Sequence, residues 1–206
     1  MNLRSLQVAA EQYYDPSLPY HNFGHVISTL EKARELIDRC KKECIEIDEG
    51  VVICALLFHD AGFIENHTAK GFPTKEHYSA DIARREMEKL KISETSIHKV
   101  QTAIVETQRD SEPTSIESKI VRVADLSGVA MTYEVFQENA ERLRLEHEML
   151  SGEKVEKAVW RKQVSETIET YLSQEISIFK DDRDTESNFH QGARSNLQRY
   201  LSSQEN

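Results

Sequence analysis

The sequence predicts an all-α protein, and three features carry that prediction. Proline and glycine are scarce, 4 and 7 among 206 residues. Apolar residues recur three and four apart along most of the chain, the period of a helix with one buried face. No run alternates apolar and polar residues long enough to suggest a half-buried strand.

Taken in order, helices are expected at about 2–14, 23–40, 48–59, 75–90, 94–108, 115–131, 132–150, 154–180 and 186–203. The first ends before a loop of turn residues, Asp15, Pro16, Ser17 and Pro19. Asn22 is placed to cap the second and Asp48 the third, since a side-chain oxygen there can take an orphan backbone N–H. The third, "VVICALLFHD", is apolar all round and should be a central, buried element. "NHTAKGFPTKEH", with Gly71 and Pro73, reads as a loop before the fourth. The acidic "EVFQENAERLRLEHEML" carries charge partners four apart and reads as a solvated face. Met131, Met149 and the helically spaced aromatics are expected in the core. The polar tail after Lys180 is expected to be a peripheral helix packed by Phe189, Leu197, Tyr200 and Leu201, or a frayed end. One domain over 1–206 is the simplest organisation, with no repeat, linker or low-complexity tract.

Composition excludes several classes of function. The longest apolar run, Val51–Phe58, is far short of the ~20 residues of a membrane span. The N-terminus lacks a basic segment followed by an apolar block, so no secretory signal is expected. Cys40, Cys44 and Cys54 are odd in number and match no zinc-knuckle spacing, which suits a reduced, cytoplasmic chain. A net charge of −10 without a basic cluster argues against a duplex nucleic-acid binder. A small phosphorylated substrate stays open, because a bound metal supplies positive charge locally.

Charge also sits where burial makes it costly. His59 and Asp60 end the apolar third helix, and Asp125 lies among Val121, Val123, Ala124, Leu126 and Val129. A carboxylate buried alone costs several kcal/mol, so it is usually paired, protonated or bound to a metal. The nearest charge to Asp125 is Arg122, which could equally face solvent. Imidazoles with carboxylates suit a divalent transition metal or Mg2+. Neighbours on a regular helix diverge by ~100°, so His59 and Asp60 can share an ion only where the helix ends or loosens, as "DAGF" permits. In "YHNFGH", His21 and His25 could serve as ligand, acid or cap. A zinc-protease reading fails, because Asn22 stands where that motif needs a glutamate.

His25, the pair His59-Asp60 and Asp125, in that order, resemble the H…HD…D signature of the HD-domain metal-dependent phosphohydrolases. "PYHNFGHV" is similar to the YHNxxH motif of the cyclic-nucleotide phosphodiesterase branch and of related small bacterial HD proteins. The resemblance runs from about Tyr20 to Val135 and implies a helical bundle of about eight or nine helices. It implies a motif core at about 20–135 with C-terminal helices at about 136–206. It makes His25, His59, Asp60 and Asp125 ligands of a divalent ion (Mn, Mg, Zn, Co, Ni or Fe), one or two per chain. His21 becomes the acid that protonates the leaving oxygen, with water activated by the metal as nucleophile; histidine suits proton transfer near neutral pH. "KEHYSADIA" resembles the segment where HD proteins place a glutamate near the water or a histidine for a second metal, here Glu76 and His77. His98, Glu106 and Gln108 are weaker candidates.

The expected substrate is a nucleotide or other small phosphate mono- or diester. The acids that follow HD in stringent-response hydrolases are delayed here to Glu65, and "HTAKGFP" only superficially matches the cyclic-di-GMP phosphodiesterase element. Gln163 and Gln174 could stand for the purine-clamping glutamine of larger phosphodiesterases, but nothing marks either. Two alternatives are a metal- or nucleotide-binding module without turnover and an HD-fold di-iron oxygenase. The first has no need of an acid at His21, and the second requires His77 and His98 as further ligands.

Overall fold

The computed structural model describes residues 3–174, 178–179 and 188–203. Among these it contains helices and no strand. In chain order they are α1 (Leu3–Glu11), α2 (Phe23–Lys42), α3 (Glu49–Phe58), α4 (Lys75–Lys89) and α5 (Glu94–Val105). Then come α6 (Ile116–Asp125), α7 (Ser127–Ala130), α8 (Tyr133–Ser151), α9 (Lys157–Leu172) and α10 (Asn188–Ser202). None is long and apolar enough to cross a membrane. The chain divides into two compact units, residues 1–125 and 126–206.

In the first unit α3 is the hub, packed against α1, α2, α4, α5 and α6. Its sequence requires this, since Val51, Val52 and Cys54 through Phe58 are all buried and Ile53 is half-buried. Asp48 caps it by accepting from Val51 N–H, and Asp48 N–H in turn donates to Glu117. α2 buries Val26, Thr29, Leu30, Ala33, Ile37 and Cys40, a stripe at helical spacing. Asn22 starts α2 as expected, taking Gly24 N–H at 2.8 Å, while its amide donates to the Leu18 carbonyl at 2.8 Å.

α1 is shorter than expected because the tyrosines that follow it are committed elsewhere. Tyr13 donates to Glu86, and Tyr14, buried, donates to the Leu57 carbonyl at 3.0 Å. The expected helix over 115–131 is two helices. Val129 N–H bonds the Leu126 carbonyl at 3.0 Å, three residues back, and Gly128 weakens a continuous helix there. Arg122 does not face solvent. It is fully buried on α6 and donates to the carbonyls of Glu106, Gln108 and Arg109 beyond the C-terminal end of α5.

In the second unit Phe136, Ile168, Ala193 and Leu197 form the core, flanked by Val129, Tyr133, Val164, Leu172 and Tyr200. Gly192 brings α10 against α7 so closely that a Cβ would lie 2.7 Å from the Ala130 carbonyl oxygen. α9 begins and ends inside the expected 154–180, closing at Ser173, whose N–H donates to Glu169, Thr170 and Tyr171 carbonyls. Residues 175–177 and 180 of that expected helix, residue 2 of the first and 186–187 of the last lie outside the described residues. Several core assignments are corrected: Met131, Met149 and Leu201 are exposed. The acidic helix α8 is not simply a solvated face, since Glu146 and Glu148 are buried. Glu148 accepts from Arg144, Lys154 and Val155 N–H, which ties the α8 terminus to the loop after it. Trp160 bonds the Ala140 carbonyl at 2.8 Å and so joins α9 to α8.

The turn after α3 depends on Gly62. Its φ is +73°, its N–H donates to the Tyr13 carbonyl at 3.0 Å, and a Cβ would meet Tyr78 at 2.7 Å and Ile82 at 2.9 Å. A left-handed backbone and a crowded Cβ site act together here, so Gly62→Ala should lower stability by about 1–3 kcal/mol. Urea unfolding measures this, and an unshifted midpoint would show that the turn relaxes freely.

Candidate metal centre

α3 stops at Phe58, and the Ala61 N–H turns back to the Phe58 carbonyl at 3.0 Å. That loosening lets the adjacent residues His59 and Asp60 face one point, which a continuing helix would forbid. His59 is buried, and its Nδ1 lies 2.8 Å from the Leu56 carbonyl. A carbonyl only accepts, so Nδ1 carries the proton and Nε2 is turned to the cluster. α2 contributes His25 from its first turn, and α6 contributes Asp125 as its last residue.

One ligand atom from each of His25, His59, Asp60 and Asp125 lies within 4.8 Å of every other. His59 Nε2 is 3.1 Å from Asp60 Oδ2, 3.4 Å from Asp125 Oδ1 and 3.3 Å from His25 Nε2. His25 Nε2 is 3.2 Å from Asp125 Oδ1 and 3.9 Å from Asp60 Oδ2. Atoms bonded to one ion at ~2.0–2.2 Å stand about 3–4 Å apart, so these spacings fit a single divalent cation. Two nitrogens and two carboxylate oxygens, without thiolate, suit the transition metals and Mg2+ alike.

The electrostatics are those of a cation site. Burial alone would lower the basicity of His59, but Asp60 and Asp125 overcome it and raise its pKa well above the ordinary value. Burial lowers the pKa of His25, with Asp125 opposing. Burial would raise both carboxyls; Lys75, His59 and His21 instead hold Asp60 well below the usual range, and His59 and His25 do the same for Asp125. Positive charge is thus favoured at the point where the four side chains converge.

The other expected residues are distributed around this cluster. His21 reaches its edge, with Nε2 4.0 Å from Asp60 Oδ2, and its ring stacks on Phe63 at 3.9 Å. Tyr20 packs against both His21 and His25. Glu76, in the first turn of α4, has its carboxylate 3.8 Å from Lys75 Nζ. His77 is outside the converging group, with Nδ1 2.9 Å from Thr74 Oγ1 and 3.3 Å from Gln108 Nε2. His98 is exposed on α5. Glu106 accepts from Thr114 through both carboxylate oxygens. Sequence reasoning missed Lys75, which meets Asp60 Oδ1 at 3.3 Å, and Phe63. A signal for Lys75 existed: a cation as the first residue of a helix opposes the macrodipole.

A helical chain that gathers two histidines and two aspartates in this order has the features of one protein class. The model of the HD domain family matches residues 22–127, just over half of the chain, and the protein belongs to that family. The four converging residues lie inside the match, and His21 immediately precedes it. No curated protein matches the chain.

The raised His59 pKa and the lowered Asp60 and Asp125 pKa values describe one attraction seen from its two sides, and they set the pH behaviour of metal-free protein. The His59 contribution is complete below pH ~6.5 and is lost as pH rises through its elevated folded value. The carboxylate contribution is complete above pH ~4 and is lost as pH falls. Bound metal in place of the His59 proton should abolish the alkaline loss. It should also stabilise by about 2.7 kcal/mol at a hundredfold excess over Kd, and Asp125→Ala should remove most of that gain. Thermal melts from pH 4 to 9 with chelator or Mn2+ test this; superimposable curves would contradict a metal site.

Proposed function

We propose that the protein is a metal-dependent phosphohydrolase that acts on a nucleotide or another small phosphate mono- or diester. The observation that carries this reading is the placement of His21. It stands at the rim of the ligand cluster, close to Asp60 but looser than the four, with its ring fixed by Phe63. A site built only to hold an ion has no use for a fifth polar side chain in that position.

A divalent ion held by His25, His59, Asp60 and Asp125 would acidify water and offset the negative charge of a phosphoryl group. The protein's part is positional. The Leu56 carbonyl fixes the His59 tautomer, and Asn22 locks the loop that carries His21 to the start of α2. His21, protonated, donates from its ring nitrogen to the departing oxygen and spares the leaving group a full negative charge. Glu76 is the residue that the family resemblance sets near the attacking water. A di-iron oxygenase has less support, because His77 and His98 do not join the ligand group.

The two histidines of "YHNFGH" should fail differently. His25→Ala should lower metal occupancy and lose activity for that reason. His21→Ala should keep its metal while kcat falls by ~10²–10⁴, and the loss should shrink for nitrophenyl esters, whose leaving group needs little protonation. Metal analysis with a phosphatase and phosphodiesterase panel reads both. Loss of metal from His21→Ala, or an equal loss on every ester, would refute the acid assignment.

A further inference from the structure

Lys75 occupies a position that the ligand set and the acid leave unexplained. It opens α4, where the helix dipole disfavours a cation, and only specific partners hold it there. Its Nζ lies 3.3 Å from Asp60 Oδ1, 3.8 Å from Glu76 Oε1 and 4.6 Å from the centroid of the Phe63 ring. The two oxygens of Asp60 are therefore divided. Oδ2 faces His59, His25 and His21 at 3.1, 3.9 and 4.0 Å, and Oδ1 faces Lys75. The ammonium touches the site without taking a ligand oxygen.

An ammonium has three N–H donors, and only Asp60 Oδ1 lies within hydrogen-bond range among these contacts. The Lys75 side chain is 40% exposed, so donors remain for an incoming group. Phe63 meets this cation and also stacks on His21 at 3.9 Å. One aromatic ring thus sets the spacing between a permanent positive charge and the proposed acid. A phosphate ester needs both, a cation for a non-bridging oxygen that stays charged and an acid for the oxygen that leaves.

We propose that Lys75 anchors a non-bridging oxygen of the substrate's phosphoryl group and that Phe63 positions Lys75 and His21 relative to each other. This rests on the phosphohydrolase reading. Lysine binds phosphate as a point charge without a fixed fork, so arginine should substitute in part and an uncharged chain should not.

The test is isothermal titration of wild type, Lys75→Met and Lys75→Arg, first with Mn2+ alone and then, in Mn2+-loaded protein, with inorganic phosphate. Lys75→Met should keep an Mn2+ affinity close to wild type while phosphate affinity falls ~10–100-fold, the weight of a charge-assisted hydrogen bond. Lys75→Arg should recover part of the loss. Phosphate binding unchanged in Lys75→Met would overturn the assignment alone. Loss of Mn2+ in step with phosphate would overturn it too, and would make Lys75 a support of the ligand cluster. Wild type that holds Mn2+ but no phosphate would overturn the phosphohydrolase reading and this assignment with it.

Discussion

Asp60 Oδ2 and Asp125 Oδ1 approach the same imidazole nitrogen, at 3.1 and 3.4 Å, from side chains only 8% and 20% exposed. Two carboxylates brought together away from water repel one another and lose hydration, so the arrangement stands only if positive charge enters with them. His59, its basicity raised by these two carboxylates, can supply that charge by accepting a proton, and a divalent ion would supply it in the proton's place. Much of the first unit follows from meeting this requirement. α3 must be apolar throughout to carry His59 and Asp60 into the interior, it must end at Phe58 so that both can turn one way, and α6 must pack on α3 to deliver Asp125.

Local preference is broken at two helix ends, and the breaks have opposite sign. Asp125 closes α6, where the dipole favours a cation, and Lys75 opens α4, where it favours an anion. Each cost is offset across space rather than along the chain, Asp125 by the histidines and Lys75 by Asp60 and the Phe63 ring. Departures from local consistency of this kind concentrate where a protein does chemistry.

The helical class and the four converging residues were legible because they rest on period and order, which a sequence displays directly. Asn22 and Asp48 were legible as caps for the same reason, since a cap acts within three residues. Phe63 and Lys75 were not, because their meaning arises from contacts with His21 and Asp60 across turns that a periodic reading treats as loop. Arg122 failed in a different way. An arginine three residues before an aspartate suggests a pair or a solvated side chain, whereas this one is drawn to backbone carbonyls of 106–109. The break at Leu126 was hidden because Val129 and Ala130 continue the apolar pattern, although Gly128 and the carbonyl chosen by Val129 N–H both mark two helices. Met131 and Met149 show the limit of reading apolar residues as buried: hydrophobic side chains also populate ordinary surfaces.

Arg122 has a wider reach than its contacts suggest. It stands three positions before Asp125 on the same helix and grips the segment that follows α5, so the azimuth of α6, and with it the direction of the Asp125 carboxylate, is set by carbonyl groups on a neighbouring segment. The cluster is in this sense cantilevered: its Asp125 carboxylate is aimed from a fulcrum outside the four converging residues. Arg122 therefore bears on the geometry of the four converging residues through the backbone carbonyls that it grips. A position in this fold acts on the four converging residues through its leverage on their helices as well as through its proximity to them.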